Sequence, residues 1–154
     1  MELFNAEDVL EFAIRIEENG EKFYRDAERA AKDAGAKQLF KRLADDENKH
    51  KDVFETLLTR VDRHLGDLED YEGEFLAHLR SHIDGRAVFL AGVSAEGDPR
   101  AVLDAAMQRE IDSVVYYQGL KSLVSKSDVK VLERIIDEEQ RHFAELSRIK
   151  REGK

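Results

Sequence analysis

Twice in this chain, a helical stripe of apolar residues carries a Glu and a His three positions apart. The first stripe is Phe40, Leu43, Glu47, His50, Phe54, Leu57 and Val61; the second is Leu132, Ile135, Glu139, His142, Leu146 and Ile149. Residues three apart on a helix share a face, so each Glu and His can reach one point. Both pairs occupy core positions of an unbroken 3-4 register. A chain that turns carboxylates into its own core must neutralise them, because an uncompensated buried charge is very costly. This restricts the fold to helices packed around a shared polar centre.

Each motif is preceded by another helix-like stripe holding a single Glu. Leu10, Ala13, Glu17, Gly20, Tyr24, Ala27 and Ala31 form the first, and Leu103, Ala106, Glu110, Ser113, Tyr117, Leu120 and Val124 the second. The spacing predicts helices over about 6–33, 36–61, 98–124 and 127–151, joined by a long crossover at 62–97. Asn5 reads as the first cap, Gly35 as the break between helices 1 and 2, and Ser127 as the cap of helix 4. Asp98-Pro99 suits the start of helix 3, with Asp as cap and Pro in the first helical position. The crossover includes the run Glu69 to Leu79 and several glycines. One or two short helices are expected within it, because a structureless loop of that length is improbable in a compact domain. The reading is an all-α, antiparallel four-helix bundle forming one domain over 1–154.

The two halves repeat. Ala13 to Glu17 followed by Phe23-Tyr24 matches Ala106 to Glu110 followed by Tyr116-Tyr117 without a gap, and each first Glu precedes its Glu-x-x-His by about 30 residues. Two helix hairpins related by a pseudo-two-fold axis would each supply one Glu and one Glu-x-x-His.

Four Glu and two His facing inward form the ligand set of a di-iron carboxylate bundle. Carboxylates can bridge two metal ions, and imidazole suits iron. A ferrous pair carries four positive charges, which four carboxylates balance. The candidate ligands are therefore Glu17, Glu47, His50, Glu110, Glu139 and His142, and the expected cofactor is two Fe ions, with Mn or Zn as substitutes. His64, His78 and His82 lack the Glu-x-x-His pattern.

The surrounding residues leave alternatives open. Tyr24 and Tyr117 lie two turns after a candidate ligand Glu on the same face. They either hydrogen-bond a carboxylate, relay an electron, or only fill the core. Gly20 and Ser113, one turn after the paired Glu, either leave room for a small ligand or let helices pack closely. Among Asp45, Asp46, Asp137 and Glu138, some are candidates to hold the His ring N–H, the rest being surface charge. Glu18 and Glu21 read as surface charge.

Composition excludes several classes. The chain has 154 residues, no cysteine and a net charge of −9. Disulfides, iron–sulfur clusters and thiolate zinc sites are ruled out. The acidic balance argues against nucleic acid and against an anionic membrane as partners. No apolar stretch approaches the ~18 residues of a membrane span. The first residues show no basic-then-apolar leader, so a cytoplasmic location is expected.

Glu17-Glu18-Asn19-Gly20-Glu21-Lys22-Phe23-Tyr24, Asp46-Glu47-Asn48-Lys49-His50 and Glu138-Glu139-Gln140-Arg141-His142 resemble motifs of the ferritin-like di-iron superfamily, in its rubrerythrin branch. The likeness covers about residues 6–60 and 98–150. It implies a ferritin-like bundle whose di-iron centre reacts with dioxygen or hydrogen peroxide, with Glu47 and Glu139 as bridging carboxylates. It also implies a homodimer. Two departures stand out. Rubrerythrins proper carry a C-terminal rubredoxin domain, which a chain without cysteine cannot build, so a separate electron-donor protein is expected. They also carry an extra Glu one turn after the third-helix ligand, where this chain has Ser113. The redox-linked ligand exchange associated with that Glu therefore does not carry over.

Three functions compete at this point. The first is a redox enzyme reducing peroxide or dioxygen; the second is a ferroxidase or iron-handling protein. The third is a metal-free helical interaction module, in which Glu47 and Glu139 would be dispensable.

Overall fold

Four long helices account for most of the described residues: α1 Ala6–Ala30, α2 Ala34–Arg60, α3 Pro99–Leu120 and α4 Lys126–Arg151. The structure, a computed structural model, describes residues 6–60, 95 and 97–153. The expected crossover apart from residues 95 and 97, the Asn5 cap, His64, His78 and His82 lie outside the described residues.

Local chemistry sets the helix ends. α1 stops at Ala30, and the break falls at residues 31–33 instead of Gly35. Asp33 is the reason: its Oδ2 accepts from the Ala36 amide at 2.9 Å and its carbonyl from the Lys37 amide at 3.0 Å. That satisfies orphan donors of the first turn of α2, so Gly35 lies inside the helix. Asp98 caps α3 by accepting from the Arg100 amide at 3.3 Å, with Pro99 first in the helix. α3 ends at Leu120 and tightens into a 3₁₀ turn over Lys121–Leu123. Val124 is then extended, and Ser125, not Ser127, caps α4 by accepting from the Asp128 amide at 3.3 Å. Cap geometry decides between two serines that the sequence pattern alone does not separate.

The stripes face inward. Leu10, Leu43, Phe54, Leu103, Leu120, Leu132 and Leu146 are all buried. The core divides into two apolar clusters. One joins the start of α1 (Val9 to Ile16) with Phe54 and Leu57 of α2, Tyr116 to Leu120 of α3, and Leu132 to Ile136 of α4. The other joins Phe23 to Ala27 of α1 with Leu39 to Ala44 of α2, Val102 to Ala106 of α3, and Leu146 and Ile149 of α4. Chain direction follows from these memberships. α1 and α4 run from the first cluster to the second, while α2 and α3 run the opposite way. Consecutive helices within each hairpin are thus antiparallel, whereas α2 and α3 are parallel. The end of α2 and the start of α3 lie at opposite ends of the bundle, which is why a long connection must separate them. Between the two clusters lies the layer that holds Glu17, Glu47, Glu110 and Glu139.

Candidate metal centre

Each helix brings one Glu to this layer, and α2 and α4 each add a His. All six are buried, with Glu17 and Glu139 at 0% exposure. Single ligand atoms from Glu17, Glu47, His50 and Glu139 lie within 4.8 Å of one another, and so do those of Glu47, Glu110, Glu139 and His142. The two groups share Glu47 and Glu139. Two overlapping clusters with two common carboxylates are the donor arrangement of a bridged metal pair.

The hydrogen bonds cross between hairpins with two-fold reciprocity. His50 of the first hairpin donates from Nδ1 to Glu139 at 2.8 Å and from Nε2 to Glu138 at 2.6 Å, both in the second. His142 of the second hairpin donates from Nε2 to Asp46 of the first at 3.1 Å. Its Nδ1 faces Glu47 and Glu110 at 3.5 Å each. The imidazole rings stack with centroids 6.0 Å apart. Outer acids thus hold Nε2 on both rings and turn Nδ1 toward the carboxylates, the orientation that a hydrogen-bonded acid gives a ligating His. The tyrosines behave likewise. Tyr24 donates to Glu110 at 2.5 Å, and Tyr117 donates to Glu17. Each tyrosine bonds the Glu of the opposite hairpin, not the one two turns before it.

Proton distribution follows from this crowding. Burial, reinforced by the Glu47 and Glu139 carboxylates, holds Glu17 well above the ordinary carboxylate range. Burial and the same kind of repulsion, from Glu139 and Glu47, do so for Glu110. For His50 burial opposes the charged ring, but the hydrogen bond to Glu139 and the nearby Glu17 carboxylate outweigh it and raise the pKa. His142 is raised in the same way, with its bond to Asp46 foremost among the opposing effects. Burial also works against the Glu139 carboxylate, yet the neighbouring Glu110 and His142 and the hydrogen bond from His50 hold it below its ordinary value. Asp46 is lowered by its bond from His142. Protons on two carboxyls and two imidazoles are the charge balance of this layer without metal.

That balance leaves buried polar atoms unsatisfied. Glu17 Oε2, Glu47 Oε1, Glu110 Oε2, Glu139 Oε2 and His142 Nδ1 are buried and have no hydrogen-bond partner. Buried polar atoms of native proteins are almost always satisfied, and all five atoms belong to the two clusters. The donor set fits a pair of divalent cations that accept carboxylate and imidazole ligands.

The remaining candidates divide. Gly20 gives room to Glu47: a Cβ there would lie 3.0 Å from Glu47 Oε2. Gly20 and Ser113 border a cavity of about 10 Å³ beside the carboxylates, together with Ile16, Tyr24, Arg109 and the three Glu of the second cluster. Ser113 donates its hydroxyl proton to the Arg109 carbonyl at 2.9 Å. Glu18 and Glu21 point outward and pair with Lys51 and Arg25. Asp45 pairs with Arg25 at 2.7 Å and stays outside the centre. Arg109, buried at 7% exposure, was not expected from the sequence. Its signal was present in the ungapped repeat, where Ile16 aligns with Arg109 and a cation replaces an apolar side chain.

The chain matches the Rubrerythrin family over residues 8–150. It belongs to that family. Its structure is similar to the solved structure of a candidate ferritin-like diiron-carboxylate protein from Thermotoga maritima, at 29% identity and a TM-score of 0.73, covering 100% of this chain and 99% of that one. No curated protein matches the chain. Rubrerythrin membership and the ferritin-like neighbour agree with a four-helix bundle built around a buried Glu/His metal site. Among the described residues no helix is long and apolar enough to cross a membrane.

Proposed function

We propose that this rubrerythrin-family chain is a di-iron redox protein that reduces hydrogen peroxide or dioxygen with electrons from a separate donor protein. One observation carries the reading: two overlapping clusters of three carboxylates and one imidazole share Glu47 and Glu139 in an otherwise apolar core. Glu17 and His50 would complete one iron position, and Glu110 and His142 the other. The bound metals would supply electrons and Lewis acidity. The chain's own residues fix the donors: Asp46 and Glu138 orient the imidazoles, while Tyr24 and Tyr117 hold two carboxylates and stand ready as proton donors at Glu110 and Glu17. The five unsatisfied buried atoms weigh against a metal-free interaction module.

The test is an anaerobic ferrous titration of metal-free protein, followed by exposure to peroxide or dioxygen while the near-ultraviolet spectrum is recorded. Saturation at two irons per chain supports the reading if new bands form that a Glu47→Ala, Glu139→Ala double variant lacks. Comparing the two oxidants ranks peroxidase against oxidase. Turnover of iron well beyond two per chain would instead make the protein a ferroxidase. Absence of stoichiometric binding sinks both metal readings.

A further inference from the structure

α1 and α3 each carry a second stripe of 3-4 spacing, turned away from the centre. On α1 it is Glu11, Arg15, Glu18, Lys22, Arg25 and Arg29, charged at every position. The matching positions of α3 are Asp104, Gln108, Ile111, Val115, Gln118 and Ser122. Only Asp104 is charged there, and Lys150 of α4 pairs with it. Among the described residues, the exposed large apolar side chains are Ile111 and Val115, at the middle of this stripe. Unbroken 3-4 spacing is the pattern by which one helix meets another along a seam.

The neighbouring helix extends the contrast. Between α3 and α4 runs a groove of about 210 Å³, lined by Glu110, Ile111, Val114, Val115, Gln140 and Phe143. In the first hairpin the positions matching Ile111, Val114, Val115 and Phe143 are Glu18, Glu21, Lys22 and Lys51. Lys51 and Glu18 pair there across the two helices at 3.8 Å. The first hairpin thus closes this face with charge, whereas the second leaves it apolar and open.

The α3 stripe also matches itself when turned end for end. About its midpoint Ile111 is opposite Val115, Gln108 opposite Gln118, and Asp104 opposite Ser122. An isologous contact demands this pattern, since residue i must suit residue j while j suits i. A helix of an unrelated partner demands nothing of the kind. Charge favours the same occupant. Two copies at −9 each repel, and the cores of interfaces are depleted of charged residues. The α3 stripe lets two such copies meet without facing like charges.

We propose that α3 packs antiparallel against the α3 of a second copy of this chain, about a two-fold axis between Ile111 and Val115. The contact also covers the groove that borders Glu110, so the second copy completes the α3/α4 wall beside the metal layer. The inference stands whether or not the centre proves to hold iron.

The test is sedimentation equilibrium of the full chain and its variants. The parent should be a dimer at micromolar concentration. Ile111→Glu with Val115→Glu brings like charges together across the axis and should weaken association by about a hundredfold or more. Far-ultraviolet circular dichroism checks the fold, and Ile111→Ser with Val115→Ser replaces the pair if it does not fold. Glu18→Gln with Lys22→Gln, on the α1 stripe, should leave association unchanged. The chain has no cysteine, so Gln108→Cys with Gln118→Cys reports only the new thiols, and mild oxidation should join two copies through them. A monomeric parent overturns the inference, as does a folded stripe variant that associates like the parent. A covalent dimer formed as readily by Gln108→Cys alone overturns the antiparallel register.

Discussion

The two hairpins are near copies where they meet and unlike where they face away. Inside, each presents one Glu, one Glu-x-x-His, one Tyr and one acid that steers the other's histidine. Outside, α1 exposes Glu11, Arg15, Glu18 and Lys22, whereas the matching positions of α3 are Asp104, Gln108, Ile111 and Val115, so only the first stays charged. Ile111 and Val115 are 43% and 40% exposed. The inner positions are tied to a shared chemistry that any unilateral change would unbalance. The outer ones answer only to solvent or to whatever each face meets, so they diverge. Ile16 and Arg109 lie at the boundary, close enough to the centre to touch its chemistry but outside the donor set.

The largest expected effect comes from breaking what the hairpins hold in common. Glu47 and Glu139 belong to both clusters, so replacing the pair by Ala should abolish binding at both positions. His50→Ala, which touches one cluster, should leave one position intact. Metal stoichiometry by titration separates the outcomes; loss of both metals in His50→Ala would show that the positions do not stand separately. Next are the steering acids. Asp46→Asn and Glu138→Gln should each weaken metal binding by ~10–100-fold. The two losses should be similar if the two-fold logic holds. Loss confined to one of them would show that a single histidine governs the site.

A pH titration probes both hairpins at once. Glu17 and Glu110 are raised above the ordinary 4.5, and His50 and His142 above 6.5. The folded chain thus binds more protons than the unfolded one above those values. Their contribution is complete below the unfolded pKa and is lost as pH rises toward the folded one. Asp46 and Glu139 are lowered, so theirs is present above the ordinary carboxylate range and lost in acid. The unfolding midpoint of metal-free protein should therefore fall between about pH 5 and about pH 9. Loaded protein should show a much flatter profile, because metals replace those protons and are bound more tightly as pH rises. Equal profiles with and without metal would refute this charge balance.

Smaller effects test the paired residues. Tyr24→Phe and Tyr117→Phe each strip a buried carboxyl of its donor and should cost about 1–3 kcal/mol in urea denaturation of metal-free protein. Their near equality is the symmetric expectation. Least of all, Gly20→Ala should change stability by under ~1 kcal/mol, since the helix-propensity gain offsets crowding. It should still lower metal affinity, because the new Cβ displaces Glu47. Ser113→Ala should leave metal affinity untouched.

The six inward acids and imidazoles were legible in the sequence because heptad spacing and ligand chemistry mark the same positions. The helices were legible for the same reason, and their ends only in part: Asp98 and Pro99 start α3 as the sequence reads, whereas other breaks shift. Gly35 is a weaker punctuation mark than Asp33, whose side chain caps a helix, and Ser125 and Ser127 differ only in backbone conformation. Nothing in Asp45-Asp46 says which acid reaches His142, because that depends on how one hairpin lies on the other. The same relation redirects each tyrosine to the far Glu. Arg109 was hidden for a different reason. In a chain with 25 Lys and Arg, a single cation reads as surface until a neighbouring helix covers it with Phe23.

Because Glu138 steers His50 and Asp46 steers His142, neither hairpin owns a finished half of the centre. A metal pair bound there would be a rivet through a seam, set between two apolar plugs. Withdrawing it should let the seam breathe while each hairpin keeps its own internal packing, and amide exchange would register that as faster opening along the inner faces first. A protein built this way can report its own metal status through the looseness of one joint.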